Sequence, residues 1–413
     1  MLAEKNKDSQ LILQPRATKR KYVYDYHAYI ITDDGKKDMF GQGGGISLKK
    51  EEAKMKAIGE ALERYCGSHI NRPLLKASFC ELNSQAVNPK DLIQFRESQY
   101  SSNFIYHKPE HTKEISWVEG RSLTTERRLF VPAFSVYLGY NRVAPKEEKF
   151  SPTTSCGLAL QTSLKRATIR ALLELIERDA AMVAWLTKKT IPRIDLEKIS
   201  NSRILYLKEN IVREGLIPEV GVISVDIPIP SVVGIIYDSR RKAPFVSFGL
   251  ATEGSLEHAI EKSLLEALMI RNTLEMLAED GKVKRIDRCS VNNFLDHAVF
   301  YAHSSREKIW RFFLEGPIYS PDVVRKKYNF NESDEENIFG NIIKLFKRQN
   351  KDIIQVDLTN NEVEEMGYKV VKAVTPHLQF MNIDYNARFI GGKRLNKFME
   401  KENSLNPYPH PFA

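Results

Sequence analysis

The feature that most constrains this chain is a group of charges inside an almost wholly apolar segment. Between residues 171 and 186 the only polar side chains are Glu174, Glu177, Arg178 and Asp179. A helix that is apolar on all sides is buried. Two buried carboxylates about 4 Å apart repel by about 4 kcal/mol at an effective dielectric near 20. The segment therefore predicts a buried helix, from about Ser163 to Leu186, whose carboxylates require a positive partner.

A second helix repeats this acidic pattern. The segments G-E-A-L-E-R (59–64) and L-E-L-I-E-R-D (173–179) share E-x-x-E-R, and residues three apart lie on one helix face. Glu60 and Glu63 also fit a solvated, salt-bridged face, and the sequence leaves both interpretations open. If the two helices face each other, four glutamates converge and two arginines do not obviously suffice.

A third apolar helix, at about 255–277, carries Glu266 with Lys262 one turn before it. Magnesium is held by a few carboxylates together with substrate phosphates, so the three helices predict a carboxylate cage for nucleotide-bound Mg²⁺. The familiar phosphate cradle G-x-x-x-x-G-K-[ST] is absent. The run Gly43–Gly45, interpreted as a turn, would offer backbone N–H groups to phosphate.

Composition excludes several classes of protein. The 413 residues carry a net charge of +9, but the basic clusters 19–21 and 240–242 are short and lack interleaved aromatics, so we interpret the charge as solvated surface and not as a nucleic-acid site. No apolar run approaches a membrane span, and the polar N-terminus is not a signal peptide. The four cysteines are far apart, which favours reduced thiols in the cytoplasm.

Periodicity predicts a mixed α+β architecture without a strict βαβ rhythm. A hairpin is expected at 22–47, followed by a helix at about 48–69. Further helices are predicted at 306–315 and 335–347. Strands are predicted at 116–118, 129–131, 136–137, 219–225, 231–237, 245–248, 353–358 and 370–374.

The carboxylate helices, in this order, resemble the YcaO family of ATP-dependent peptide-modifying enzymes. The similarity covers nearly the whole chain. Its blocks are G-G-G-I-S, K-A-I-G-E-A-L-E-R-Y, T-T-S-C-G-L-A, L-L-E-L-I-E-R-D-A and S-L-L-E-A-L-M-I-R-N, with connecting W-V-E-G-R-S-L and F-V-P-A. Three later blocks resemble the azoline-forming branch: L-D-H-A-V-F-Y-A, V-D-L-T and V-V-K-A-V-T-P-H-L-Q.

The resemblance implies a single YcaO-type fold over residues 1–404 that holds ATP and Mg²⁺. It assigns the nucleotide to Glu60, Glu63, Glu174, Glu177, Arg178, Lys262 and Glu266. The same five glutamates are the implied metal ligands. The chain departs from the family pattern at Gly44, Thr162, Lys262 and Met269, and Lys262 keeps the charge of an arginine without its bidentate fork.

The chain ends in N-P-Y-P-H-P-F-A (406–413), whose alternating prolines favour a stiff, extended arm. Taken alone, such a tail is a disordered terminus or a ligand for a proline-binding module. The resemblance instead implies that residues 405–413 enter the active site and take part in catalysis. The candidate residues are Pro407, Pro409, Pro411 and Ala413, together with His410, whose ordinary pKa lies near neutrality.

The implied activity is an ATP-dependent cyclodehydratase of ribosomal peptide biosynthesis, such as that of bacteriocins. A Cys, Ser or Thr side chain would attack the preceding carbonyl, and phosphorylation by ATP would make the amide oxygen a leaving group. Implied partners are a precursor peptide and a separate E1-like, leader-binding protein. The resemblance also allows an FMN-dependent azoline dehydrogenase and a homodimer. The alternatives are a thioamide-forming enzyme and a non-catalytic peptide-binding scaffold.

Overall fold

The computed structural model of the chain describes residues 9–16, 18–32, 34–328, 334–399 and 404–413. Its strands in chain order are β1 (Ser9–Pro15), β2 (Tyr24–Thr32), β3 (Lys37–Ser47), β4 (Leu75–Ser78), β5 (Glu114–Ser122), β6 (Arg128–Pro132), β7 (Leu158–Gln161), β8 (Arg193–Ile194), β9 (Leu216–Val222), β10 (Ser231–Asp238), β11 (Val246–Thr252), β12 (Ile318–Tyr319), β13 (Ile354–Asp357) and β14 (Lys369–Val374).

The helices lie between these strands. They are α1 (Lys50–Ser68), α2 (Phe79–Leu82), α3 (Tyr140–Val143), α4 (Leu164–Leu186), α5 (Ser202–Arg213), α6 (Leu256–Glu279), α7 (Phe294–Tyr301), α8 (Glu307–Trp310), α9 (Pro321–Tyr328), α10 (Glu335–Arg348), α11 (Asn361–Glu365) and α12 (Lys393–Asn396). Short 3₁₀ turns connect several of them.

The strands form three sheets. The first is β1-β2-β3, the second is β11-β10-β9-β8-β12, and the third is β4-β5-β13-β14-β7 with β6 paired to β5. Neighbouring strands are antiparallel except β8 and β12. Helices α1, α4 and α6 pack between and against these sheets, and α4 contacts both the second and the third. The mixed α+β prediction is therefore confirmed, and α4 lies where the layers meet.

Glycines let two helices approach their sheets closely. A Cβ added to Gly45 or Gly43 would lie 2.1 Å from the carbonyl oxygen of Ala53 or 2.4 Å from that of Ala57 in α1. A Cβ at Gly249 would lie 2.2 Å from the carbonyl oxygen of Ser263 in α6. Side chains at these positions would push the helices outward, so the glycines fix the depth at which α1 and α6 sit.

The long elements agree with the sequence predictions. The hairpin is β2–β3, and α1, α4, α6 and α10 begin and end within two residues of the predicted bounds. The strand predicted at 136–137 is wrong, because these residues follow a 3₁₀ turn, Ala133–Ser135. The helix predicted at 306–315 is broken into α8 and a 3₁₀ turn, Arg311–Leu314. Within the described ranges, no helix is both long and apolar enough to span a bilayer.

Candidate active site

Helix α1 brings Glu60 against the glycine strand β3. Glu60 Oε2 accepts a 2.6 Å hydrogen bond from the backbone N–H of Gly44, and Oε1 lies 2.6 Å from Arg64 Nη2. The Glu60 side chain is 31% exposed, so a salt-bridged, partly solvated residue describes it well. The prediction that the glycine run is a turn offering N–H groups to phosphate is wrong, because the glycines lie inside β3 and Gly44 already donates to Glu60.

Glu63, one turn further along α1, is far less well compensated. Its Oε2 accepts one 3.3 Å hydrogen bond from the backbone N–H of Leu160 in β7. Burial raises the pKa of Glu63 well above its ordinary value, and the charges of Glu174 and Glu60 raise it further. The two E-x-x-E-R helices therefore do face each other at this point.

Helix α4 supplies the most deeply buried part of the site. Glu177, with a side chain 5% exposed, accepts a 2.8 Å bond from the N–H of Thr252, and Glu174 accepts a 3.1 Å bond from Gly157. Arg178 lies 3.8 Å from both carboxylates, too far for strong hydrogen bonds. Its Nε is buried without a hydrogen-bond partner. One guanidinium shared at this distance leaves the pair short of positive charge.

Helix α6 completes the arrangement with Glu266. Burial, and then the charge of Glu177, raises the pKa of Glu266. Lys262 does not pair with it; its Nζ lies 3.0 Å from Glu253, which also binds Arg170 at 2.6 Å. Although burial opposes ionisation, these two cations hold the pKa of Glu253 at about 2. Sequence reasoning missed Glu253 and Arg170; the available signal was that Arg170 lies one turn before the acidic pair on α4.

We define the carboxylate cluster as Glu60, Glu63, Glu174, Glu177 and Glu266. Electrostatic coupling joins its members, since Glu63 interacts with Glu174 and Glu60, Glu174 interacts with Glu177, and Glu177 interacts with Glu266. Across the described part of the chain, no three His, Cys, Asp or Glu side chains lie so as to hold a metal ion by themselves.

The donor set nevertheless fits magnesium bound together with a nucleotide. Mg²⁺ usually binds through one or two carboxylates, with waters and substrate phosphates completing its shell. Burial raises the pKa of Glu63, Glu174 and Glu266, and the charge of a neighbouring carboxylate raises each one further, so ionising them together requires added positive charge. A divalent cation would supply that charge and favour the ionised carboxylates.

Lys372 of β14 is a buried cation of the site that sequence reasoning did not single out. Its Nζ donates to the carbonyl oxygens of Thr154 and Cys156 at 2.7 and 2.8 Å. Burial lowers the pKa of Lys372, while the thiol of Cys156 and the carboxylates Glu174 and Glu63 raise it. A cavity of about 70 Å³ lies between Lys372 and Arg178, with Cys156 in its wall. Two cations next to the cluster, Arg178 and Lys372, therefore line a partly open cavity in which a small group can bind.

The C-terminal tail lies in the interior of the fold. Pro409, His410, Pro411 and Phe412 are buried, whereas Pro407 is exposed. The Phe412 ring lies among aromatic rings of Trp185, Phe248 and Phe313, and Ala413 packs against a separate apolar cluster that includes Leu274 and Ala298. The disordered-terminus alternative does not describe this segment.

The expectation that His410 titrates near neutrality is wrong. Burial lowers its pKa well below the ordinary value, and His297 and Arg178 lower it further. Its Nε2 faces the carbonyl oxygen of Asn382 at 2.8 Å, which assigns the single N–H of a neutral ring to that nitrogen. The charge of Arg178, which lies beside Glu174 and Glu177, therefore acts on His410.

Comparison with known proteins identifies the arrangement. A family model described as "YcaO cyclodehydratase", binding ATP and Mg²⁺, matches residues 44–379. The matched span contains every residue of the carboxylate cluster, with Arg178, Lys262 and Lys372, and it ends before the tail.

Solved structures share the fold. A heterocyclase in complex with substrate and cofactor matches with a TM-score of 0.80 and 18% identity, over 97% of this chain and 55% of that one. The E. coli microcin synthetase McbBCD complex matches with a TM-score of 0.65 and 17% identity, over 97% and 96%. A Methanopyrus kandleri protein bound with AMPPCP and Mg²⁺ matches with a TM-score of 0.62 and 15% identity, over 89% and 86%. This chain thus spans only 55% of the heterocyclase that it matches.

Proposed function

Because the chain belongs to the YcaO family of ATP- and Mg²⁺-binding cyclodehydratases, we propose that it is the ATP-dependent enzyme that forms azoline rings in a precursor peptide. The substrate residues would be Cys, Ser or Thr, whose side chains attack the preceding backbone carbonyl. The single observation that carries the proposal is the carboxylate cluster. Burial raises the pKa of three of its members, Glu63, Glu174 and Glu266, and the charge of a neighbouring carboxylate raises each of them further.

The proposed division of roles follows from the position of each side chain. Glu174 and Glu177 of α4 and Glu266 of α6 would hold the cation, and both helices contact β10 and β11. Glu63 of α1 is coupled to Glu174. When bound, ATP with Mg²⁺ supplies the phosphoryl group that turns an amide oxygen into a leaving group. Arg178 would stabilise the phosphate charge, since neither of its 3.8 Å ion pairs satisfies its Nε.

The other cations hold the site in shape. Lys262 and Arg170 are engaged by Glu253, so they would fix that wall of the nucleotide site while contributing positive charge. Glu60 is already bound by Arg64 and Gly44. We therefore expect Glu60 to position the nucleotide and not to bind the cation directly. These assignments rank Glu174 and Glu177 above Glu60 for metal binding.

We assign the tail to the peptide side of the reaction. His410 bonds to the carbonyl oxygen of Asn382, and the preceding residue, Met381, contacts Arg178 through its sulfur. We therefore propose that residues 405–413 border the place where the amide would react. Removal of the amide proton is assigned to this segment, with Pro407, Pro409, Pro411 and Ala413 shaping it. The neutral ring of His410 would act as a hydrogen-bonding group and not as the principal base.

The partners are proposed by the same reasoning. A heterocyclase of similar fold has been solved with substrate, and another similar structure is part of a multi-protein complex. We therefore propose a precursor peptide as substrate and a separate E1-like, leader-binding protein that delivers it. An FMN-dependent dehydrogenase and a homodimer remain predictions, as does a cytoplasmic location.

The test is mass spectrometry of a precursor peptide rich in Cys, Ser and Thr, incubated with the chain, its partner protein, ATP and Mg²⁺. We expect loss of one water per ring and release of ADP and phosphate. Glu174→Gln should lower this rate by at least about a hundredfold without unfolding the protein. Glu126→Gln, at a side chain that is 77% exposed, is the matched control and should leave the rate unchanged.

Two results would redirect the proposal. A mass gain corresponding to sulfur replacing oxygen would indicate a thioamide-forming enzyme. Absence of any ATP turnover, with folding that does not depend on metal, would indicate a non-catalytic scaffold that binds peptide.

A further inference from the structure

The tail is held by a regular series of hydrogen bonds that no part of the proposed reaction requires. Five consecutive carbonyl oxygens, from Asn406 to His410, each face a side-chain nitrogen or hydroxyl from another part of the chain. The first four face N–H or O–H donors, and the fifth faces His297 Nδ1, which donates only when it carries the proton. The pairs are Arg388 Nη1 with Asn406 (2.7 Å), Tyr385 Oη with Pro407 (2.5 Å), Trp185 Nε1 with Tyr408 (3.2 Å), Tyr301 Oη with Pro409 (2.6 Å) and His297 Nδ1 with His410 (2.7 Å).

The alternating prolines suit this binding mode. A buried backbone N–H without a partner destabilises the folded state, and proline has none. Pro409 and Pro411 are buried, so at these positions the tail presents acceptors only. A groove lined with donors can therefore bury residues 409–412.

This recognition leaves the register of the tail undetermined. Every residue has a carbonyl group, and every second residue from 407 to 411 is proline. A slip of two residues, about 6 Å in a polyproline II segment, would place proline on proline and present the same series of acceptors. Only side chains that differ along the tail can distinguish the two registers.

Two side chains of the tail make such contacts. The imidazole of His410 stacks on that of His297, with ring centroids 3.7 Å apart and planes 8° from parallel. Phe412 occupies the aromatic site described above. After a two-residue slip, Tyr408 or Phe412 would meet His297, and the site of Phe412 would be left empty or filled by histidine.

His297 is built as a fixed platform for this stack. It is fully buried in α7, and its Nε2 faces the carbonyl oxygen of Ile383 at 2.9 Å while Nδ1 faces that of His410 at 2.7 Å. A neutral imidazole has one N–H, so it can donate to only one of these carbonyl groups at a time. The stacking contact, in contrast, exists in either tautomer.

We propose that His297 is the positioning residue that sets the register of the C-terminal tail, by stacking on His410. The proposal deepens the proposed function, because the register decides which tail atoms lie beside Arg178 and the reacting amide. Its structural part, the register itself, can be tested without turnover.

The experiment uses the full chain and compares His297→Ala with His297→Phe, which retains a flat ring for stacking but no donor. Amide hydrogen exchange of residues 404–413 reports the hold on the tail. Loss of the stack should accelerate amide exchange in His297→Ala by about tenfold. This factor corresponds to the upper end of the stabilisation that an aromatic pair provides. His297→Phe should restore most of the protection. His258→Ala, at an exposed histidine of α6, is the matched control and should exchange like the parent.

The kinetic arm separates positioning from general damage. In His297→Ala we expect kcat for ring formation to fall by about tenfold while KM for ATP stays within about twofold, with partial recovery in His297→Phe. Should His297→Ala fail to fold, His410→Ala removes the other ring of the same stack and leaves α7 intact.

Amide exchange and kcat like those of the parent in His297→Ala and His410→Ala would overturn the proposal. The hydrogen bonds to the carbonyl groups alone would then fix the tail. If the parent protein forms no rings but the exchange results are as expected, the proposed function fails and the register assignment stands. The two failures are therefore distinguishable.

Discussion

Helix α4 carries carboxylates of two kinds within six residues; Glu177 and Asp179 are buried, and the Glu174 side chain is 25% exposed. Asp179 is bound by Arg394 through two short contacts, 2.9 Å from Nε and 2.6 Å from Nη2, and it also accepts a 2.7 Å bond from the N–H of Gln379. Glu174 and Glu177 share one arginine at 3.8 Å. The first carboxylate is saturated with partners, and the other two are not.

The difference teaches how to separate structural from functional charges in one segment. A buried ion pair offsets its desolvation only when the geometry is good and further hydrogen bonds satisfy both groups. Asp179 meets that condition and stabilises the fold around α12. The pair Glu174 and Glu177 does not, and we expect a bound cation to complete its compensation. Three experiments, in order of decreasing expected effect, test this contrast.

The largest effect is expected from Arg394→Met, which removes the partner of Asp179. Leaving a buried carboxylate uncompensated should reduce the free energy of unfolding by about 3–5 kcal/mol, measured by urea denaturation. Lys397→Met, which removes a mostly exposed partner of Asp226, is the control and should cost less than about 1 kcal/mol. Equal losses in the two variants would mean that Asp179 is not the structural charge.

An intermediate effect is expected from the ligand. ATP with Mg²⁺, at a hundredfold excess over Kd, should stabilise the protein by about 2.7 kcal/mol, read as a rise in Tm. Glu177→Gln should abolish this rise, because it removes a charge that the cation requires. Asp226 belongs to the ion-paired group around Asp179, so Asp226→Asn should retain the rise in Tm. A rise that survives Glu177→Gln would place the nucleotide elsewhere.

The smallest effect is a dependence of stability on pH. Burial raises the pKa of Glu63 and Glu174 above the ordinary value of 4.5, so the folded state holds protons that the unfolded state releases. Stability of the ligand-free protein should therefore fall as the pH rises above that value, and stabilisation by Mg²⁺ and ATP should grow over the same interval.

The stability contribution of Asp226, which is ion-paired with Arg394 and Lys397, should change with pH in the opposite way. Although burial opposes it, Arg394 and Lys397 lower the pKa of Asp226, so its contribution is present at neutral pH and lost in acid. Thermal unfolding between about pH 5 and pH 8 measures the first trend. The second trend requires measurements below the ordinary pKa of 3.8, where Asp226 begins to be protonated in the unfolded state. The double variant Glu63→Gln with Glu174→Gln should lose most of the decrease in stability at rising pH. If the decrease is unchanged in that variant, other groups cause it.

Much of the fold and of the site could be predicted from the sequence. The apolar repeat of 3.6 residues located α1, α4 and α6, and the E-x-x-E-R spacing placed each pair of glutamates on one face. The apolar surroundings of Glu174 and Glu177 predicted a charge deficit, and the proline alternation marked the tail. All of these signals are local, so they could be predicted without knowing which elements meet.

The pairing of charges could not be predicted, because it depends on residues distant in sequence. Lys262 lies one turn from Glu266 yet binds Glu253, and Gly44 donates to Glu60 where a phosphate was expected. Lys372 reaches the site from a strand almost two hundred residues after α4, and His410 loses its ordinary pKa on burial. Each outcome follows from the packing of one element on another.

The sequence by itself determined which residues share a helix face, which helices are buried and where charge exceeds its local compensation. These properties follow from the repeat of the helix and from the aversion of charge to apolar surroundings. Only the tertiary structure decided which cation neutralises which carboxylate, and which donors bind the tail. Ion pairs and hydrogen bonds act over a few ångströms, and distances of that order between remote residues are set by how the helices and sheets pack.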